Sequence, residues 1–412
     1  MAQITLERTP YRKKKETHGP LENETIAWIN LAELAKDHPN DFPQLKSAVL
    51  NWKQQYPEHM ANQLLSDINA DDRPIPRSIA VLLPLSGLHA DSGKSVQQGL
   101  LEAYYEAHER TSQSILFYDT NSVPIDELYP IIKAQGHDLI LGPLTKEDTE
   151  RLLNIADSSP AIISLNYTNQ KYFHPHTYNL DFLLKMKHAK IADLAWRQGK
   201  SAAIIISPNT DKAKKITRAF TQAWITLGGT IIDRYYYQDT DKFAATIAKL
   251  LGITDSQSRQ HKLHQTLLLH VNSTLYSRKD ADMVFLVSDP TIARQVVPFI
   301  KFYAGNSLPV FATSQVNNGH DAINQNKDLN DLYFCDMTAA FQAREKNQNK
   351  LYFLGKDAYL LATQQTHLSA LPHFPLTGNT GQLYLNPMMH TIQRELTCGQ
   401  FKNGRATAFN TT

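Results

Sequence analysis

The run from Ser78 to Gly87 (SIAVLLPLSG), with the helical stretch Ser92 to Arg110 behind it, constrains this chain more than any other feature. An unbroken apolar run this short, closed by Pro84 and a Ser-Gly turn, suits a parallel strand covered on both faces. The helix carries Val96, Leu100, Ala103, Tyr104 and Ala107 at helical spacing, so one of its faces lies on the sheet. A strand that delivers its carboxyl end onto a helix N-terminus is where open α/β folds receive ligands.

The same alternation recurs along most of the chain. Predicted strands at Ile79 to Pro84, Ser114 to Asp119, Asp138 to Leu141 and Ala161 to Leu165 are separated by helical stretches such as Thr145 to Ala156. A second series opens with the helix Leu184 to Arg197, then Ala202 to Ser207, a helix closed by Gly228 and Gly229, and Thr230 to Tyr237. It continues through Phe243 to Leu251, Met283 to Ser288, Thr291 to Tyr303 and Pro309 to Thr313. Two such blocks predict two doubly wound lobes of parallel sheet. Late strands are expected at Gln382 to Leu385 and Thr391 to Thr397, and the polar stretch Ser256 to Arg278 reads as a helical or looping insertion.

Upstream, Phe42, Leu45, Val49, Trp52 and Tyr56 share one helical face that opens at Asp41 and Pro43 and ends at Pro57. With Ile26, Ile29 and Leu34 before it and Leu64, Leu65 and Ile68 after it, residues 23–72 read as three helices, the end of a helical array or a cap on the next domain. Residues 71–76 read as a linker. Residues 1–22, with Arg12 to Lys15, read as a flexible basic arm.

Composition narrows the function. At 412 residues the chain suits two or three domains, and 42% hydrophobic with 20% charged residues describes a globular protein. A net charge of +2 supplies no broad field for nucleic acid. No segment approaches the roughly 20 apolar residues of a membrane-spanning helix. The start lacks the apolar centre of a secretion signal, which fits a cytoplasmic protein or an exported one without its signal. Two cysteines, Cys335 and Cys398, leave no structural zinc site or disulfide framework, and either a single bridge or separate apolar burial fits them.

No catalytic constellation emerges, and no metal or cofactor is called for. Gly87 to Gly93-Lys94-Ser95 resembles a phosphate loop, but five residues separate its glycines where the motif has four. The expected role there is a helix start capped by Asp91 or Ser92. Ser86 lacks the flanking glycines of a hydrolase elbow, and the pairs His174/His176 and His261/His264 miss the spacing of a helical zinc motif. Small polar residues do stand at successive strand ends. Ser86, Gly87, Gly142, Thr145, Ser164, Asn166, Tyr167, Asn209, Asp289 and Ser314 are the candidate ligand-binding residues of a cleft between lobes. The competing role for each is to cap the helix or turn that begins there.

The stretches Ile79 to Gly87, Leu139 to Leu144 and Gly355-Lys356-Asp357-Ala358-Tyr359 resemble the type I periplasmic-binding fold of branched-chain amino-acid receptors. More specific are Arg278 to Phe285, Ala293-Arg294, Phe302-Tyr303, Leu308 to Ser314, Asp328 to Asn330, Phe334 to Met337 and Gly378 to Leu383. These look like the C-terminal domain of the penicillin-binding protein activator LpoA family, and residues around Trp28 and Trp52 look like the tail of its helical-repeat domain. The resemblance implies a non-enzymatic, periplasmic, outer-membrane lipoprotein that activates a bifunctional peptidoglycan synthase, with peptidoglycan as a further contact. Anchoring would run through a lipidated N-terminus that this chain lacks. It further implies lobe one at 77–178 and 338–376, and lobe two at 179–337 and 377–412. Receptors of this fold hold a ligand carboxylate with hydroxyls and amides. Here Leu144 to Glu147 stand where such a receptor offers small hydroxyls, so a free amino acid is not strongly indicated; the alternative is a periplasmic solute-binding protein for an amino acid, peptide or cell-wall fragment held between the lobes.

Overall fold

The computed structural model describes residues 20–65, 68, 75–107, 113–168, 176–181, 184–238, 243–267, 276–317, 323–342 and 348–409. Residues 1–19 of the expected basic arm, residues 71–74 of the linker and His174 lie outside them, and α1 begins within the expected arm, at Pro20. In chain order the elements are α1 (Pro20–Asp37), α2 (Phe42–Gln55), β1 (Ser78–Leu83), α3 (Ala90–Ala107), β2 (Ser114–Asp119), α4 (Ile125–Ala134), β3 (Leu139–Leu141), α5 (Lys146–Ile155), β4 (Ala161–Ser164) and β5 (Thr177–Asp181). Then come α6 (Leu184–Arg197), β6 (Ala202–Pro208), α7 (Asp211–Thr226), β7 (Thr230–Tyr237), α8 (Phe243–Leu250), α9 (Ile253–Leu267), β8 (Met283–Leu286), α10 (Pro290–Ala304), β9 (Val310–Ala312) and β10 (Tyr333–Asp336). The last are α11 (Lys350–Thr363), α12 (Gln365–Ala370), β11 (Leu376–Thr377), β12 (Gln382–Asn386), β13 (Thr391–Glu395), β14 (Thr397–Lys402) and β15 (Arg405–Ala408).

These elements form two compact units. Unit one holds the described residues up to 181 and 348–395, and unit two holds 184–342 and 396–409. Unit one is built on one eight-stranded sheet of order β11-β12-β13-β5-β4-β3-β1-β2, and unit two on a seven-stranded sheet of order β15-β14-β10-β9-β8-β6-β7. Six strands run parallel in unit one, β13 included, and five in unit two, each in the doubly wound order that reverses beside the first strand. β1, β6 and β8 are buried on both faces, as their unbroken apolar runs require.

Several expected boundaries shift. The segment expected as one strand from Thr391 to Thr397 breaks at Leu396: β13 pairs parallel with β5 in unit one, and β14 pairs antiparallel with β10 in unit two. Residues 377–395, expected in lobe two, therefore belong to unit one, because Leu383, Leu385 and Ile392 alternate into its core beside Leu180 and Leu376. Residues 179–181 likewise belong to unit one as part of β5, and the 338–342 stretch stays in unit two. Where a third upstream helix is expected, the described residues show a 3₁₀ turn at Met60–Gln63. Of the insertion, α9 covers the first half, and 268–275 lies outside the described residues.

α3 and α11 cross at contact distance because each carries a glycine against the other's backbone. A Cβ on Gly99 would sit 1.8 Å from the Tyr352 carbonyl oxygen, and one on Gly355 would sit 2.0 Å from that of Val96. Replacing Gly355 with Ala is expected to force the helices apart and cost about 1 to 3 kcal/mol, measured as a shift in the urea midpoint.

The upstream helices pack onto unit one rather than standing free. Leu45, Val49, Trp52, Leu65 and Ile68 form one apolar cluster with Leu371 and Phe374, and Asn40 exchanges two 2.9 Å hydrogen bonds with the Thr377 backbone. His367, 1% exposed, lies beside Phe42 with ring centroids 5.7 Å apart. Burial pushes its imidazole down from an ordinary 6.5 to about 4, with only the Phe374 backbone pulling the other way. A depressed histidine is neutral in the fold while the unfolded chain takes up a proton. Its contribution is therefore complete above pH 6.5 and is lost as pH falls toward 4, by about 3 kcal/mol. A His367→Leu variant should show a shallower decline in melting temperature across that interval than the parent; parallel declines would contradict the assignment.

Candidate functional site

The candidate residues are placed at the carboxyl ends of the parallel strands, in each unit separately. In unit one they flank the switch between β1 and β3 and extend to β4. Asp119, at the end of β2, organises the first loop. Its Oδ1 accepts the N–H groups of Leu85 (2.9 Å), Ser86 (3.3 Å) and Asn121 (3.0 Å), and its Oδ2 accepts the Ser122 hydroxyl (2.6 Å). Burial pushes this carboxyl up, but the bonds from Ser122, Ser86, Asn121 and Leu85 outweigh it and hold Asp119 well below the usual carboxylate range. The Ser86 hydroxyl also takes the Asn121 side-chain N–H at 3.1 Å. Gly87 turns at φ +69° against that same side chain.

The helix start expected at Ser92 lies earlier. A 3₁₀ turn, Gly87–His89, runs straight into α3, so Asp91 and Ser92 are inside the helix and do not cap it. Gly93 is explained by packing: a Cβ there would lie 2.1 Å from the Pro84 carbonyl oxygen. Ser95 accepts the Asn349 side-chain N–H at 2.8 Å. The phosphate-loop resemblance is thus a close strand-to-helix approach.

Gly142, at φ +102°, precedes a cis bond to Pro143. Thr145 caps α5, accepting from the Asp148 N–H (3.2 Å) and donating to its carboxylate (2.7 Å). Ser164 is fully buried, its hydroxyl within 2.6 Å of Asn179 Oδ1 and 2.7 Å of the Asn166 carbonyl oxygen. Asn166 donates to the Leu144 carbonyl (2.8 Å) and accepts the Tyr167 N–H (2.9 Å), and the Lys146 ammonium stands 5.3 Å from the Tyr167 ring centre.

In unit two the Asn209 N–H donates to the Tyr237 carbonyl (2.9 Å), and Asp289 caps α10 through the N–H groups of Thr291 (2.7 Å) and Ile292 (3.0 Å). Ser314 opens a short 3₁₀ turn, Ser314–Val316. Beside them the hydroxyls of Ser288 and Thr313 are buried without a hydrogen-bond partner. The Tyr237 hydroxyl donates to the Val287 carbonyl, and burial, reinforced by Asp289, pushes the phenol up.

Most of these groups are therefore spent on capping and loop geometry, and Asp119, the hub of the first loop, escaped the candidate set. Its only sequence signal is the small polar run Asp119 to Ser122 directly after a strand. A Ser–His contact does exist, Ser78 Oγ to His137 Nδ1 at 2.8 Å, but at the amino end of β1. The other ring nitrogen meets the Tyr118 hydroxyl at 2.8 Å, and burial pushes the imidazole down. His261 is bonded to Gln265 on α9. Among the described residues no group of three metal-binding side chains assembles, and no helix is long and apolar enough to cross a membrane. Cys335 and Cys398, left open above, form a disulfide across β10 and β14 in unit two.

The model of the LppC putative lipoprotein family matches residues 6–404. The penicillin-binding protein activator LpoA of Photobacterium profundum is 25% identical over 407 residues, covering 91% of this chain and 65% of the relative. That of Vibrio cholerae (strain M66-2) is 24% identical over 402 residues, covering 92% of this chain and 66% of the relative. The chain thus spans slightly under two thirds of the length of these relatives. Among solved structures, Haemophilus influenzae LpoA superposes with a TM-score of 0.64 at 21% identity, over 95% of this chain and 70% of that one. The C-domain of the same organism's LpoA gives 0.59 at 20% identity, over 81% and 99%. A putative branched-chain amino acid ABC transporter from Chromobacterium violaceum gives 0.58 at 21% identity, over 79% and 99%. At such identities these structures establish the fold, two lobes of the periplasmic-binding kind.

Proposed function

This chain belongs to the LppC putative lipoprotein family, and from that membership we propose that it acts by association, as an activator of a bifunctional penicillin-binding protein. The observation that carries the reading is the continuity of the match. Relatives named penicillin-binding protein activators align over 91% and 92% of the chain, and the family match at residues 6–404 takes in the upstream helices and both units. In this reading the protein performs no bond-making chemistry. It works because it binds the active conformation of the synthase more tightly than the inactive one, and a tenfold preference corresponds to about 1.4 kcal/mol of coupling. The periplasmic face of the outer membrane is the proposed location. The Cys335–Cys398 bridge supports an oxidising compartment.

The test is saturable binding of the purified chain to its organism's bifunctional peptidoglycan synthases at physiological salt. Absence of binding to every synthase would refute the reading for this chain. A second reading, a receptor for an amino acid, peptide or wall fragment, is favoured by the buried, unpartnered hydroxyls of Ser288 and Thr313 at strand carboxyl ends. It would be supported by a small molecule released on denaturing the purified chain and identified by mass spectrometry.

A further inference from the structure

The near-neutral total charge hides a segregation. Lys and Arg clearly outnumber Asp and Glu in unit two, and the reverse holds in unit one. Within unit two, α6 and α7 carry equal shares of that excess, and on α7 it falls on residues whose exposure the structure gives. The buried face of α7 carries Ala213, Ile216, Thr217, Phe220 and Trp224, so the helical repeat turns Lys214, Lys215 and Arg218 outward in one row, with Lys212 beside them. All four are exposed, and among the described residues none has a carboxylate within ion-pair distance.

This row works against the helix that bears it. Lys212 with Lys215, Lys214 with Arg218 and Lys215 with Arg218 are like charges three or four residues apart, which destabilises a helix. They also crowd the amino-terminal half, where the helix dipole disfavours cations, with only Asp211 in the first turn to offset them. Farther along the same face Ile225 is 56% exposed, and Trp196 of α6, packed edge-on against Trp224, is 38% exposed at that end of the helix. A basic rail that ends in an apolar and aromatic patch has the make-up of a protein-recognition surface.

We infer that the outward face of α7 is the docking surface for an acidic peptide segment of a partner protein, its carboxylates along Lys214, Lys215 and Arg218 and an apolar side chain at Ile225 and Trp196. The apolar end of the row decides the occupant: a peptide can set carboxylates and an apolar side chain along one helix face, which a wall polymer does not. The inference stands apart from the activator reading, since it names a surface and a ligand chemistry irrespective of which protein supplies the acids.

The experiment measures binding of a fluorescent synthetic peptide, a run of glutamates ending in two leucines, to the full chain and to a Lys214→Glu/Lys215→Glu/Arg218→Glu variant. Phosphatidylglycerol vesicles and purified peptidoglycan sacculi serve as rival ligands. The expected result is saturable peptide binding that weakens with salt and falls by at least about tenfold in the variant. The variant should also melt at or above the parent's temperature, because acids suit the amino-terminal half of α7. Failure of the parent to bind the peptide, equal binding by the variant, or binding of vesicles or sacculi in place of the peptide would each overturn the inference.

Discussion

Replacing Asp357 with Ala is expected to cost about 3 to 5 kcal/mol, seen as a large fall in the denaturant midpoint of unit one. Asp357 is fully buried on α11, and its carboxylate gathers the turn between β11 and β12. It accepts the backbone N–H of Asn379 (2.7 Å) and of Thr380 (2.8 Å), the Asn379 side-chain N–H (3.1 Å) and the Thr380 hydroxyl (2.5 Å). Burial pushes the carboxyl up, against the pull of Thr380 and Asn379. Truncation leaves these donors buried without an acceptor, which costs more than the bonds were worth. Asp357→Asn keeps the shape but turns one acceptor into a donor facing donors, so it should cost less than Asp357→Ala yet remain clearly destabilising. Hydrogen exchange should localise the damage to β11, β12 and β13. A midpoint within error of the parent for both variants would contradict this account.

Loss of the Cys335–Cys398 bridge is the second large effect. The two residues are 63 apart in sequence and face each other across β10 and β14. Removing a cross-link over a loop of that length restores unfolded-chain entropy worth about 4 kcal/mol in the chain-entropy estimate. Both strands lie in unit two, and β14 carries the chain back into that unit after Leu396. The reduced protein, or a Cys335→Ser/Cys398→Ser variant, should therefore lose unit two at a lower denaturant concentration while unit one unfolds nearly as before. Coincident unfolding curves for the oxidised and reduced forms would show that the bridge does not constrain the unfolded chain.

Apolar runs such as β1, β6 and β8 were readable because strands covered on both faces leave an unbroken signal. β5 was missed: Thr177, Tyr178, Asn179 and Asp181 surround Leu180, and the strand exists because β4 and β13 pair with it on either side. The crossing at Leu396 was invisible for a related reason. Residues 391–397 read as one extended segment, and nothing local says that its two ends join different sheets. Two of the motifs behind the resemblance, at Gly355 to Tyr359 and Gly378 to Leu383, proved to be one piece of architecture. Gly355 admits α3, Asp357 holds the Gly378-Asn379-Thr380-Gly381 turn, and none of these residues needs a ligand to explain it.

At the candidate site, the strand-end positions of Ser86, Ser164 and Asp289 were legible, but their partners were not. Asp119 lies 33 residues from Ser86 and Asn179 lies 15 from Ser164, separations that carry no periodic signal. The cysteine pairing stayed open for the same reason, since only the register of β10 with β14 brings the two together.

The most direct test of the activator reading is the transpeptidation rate of the organism's bifunctional synthase, followed while the purified chain is titrated to saturation. The account predicts a rate that rises and saturates with binding. A rate unchanged at full occupancy of the synthase would contradict it.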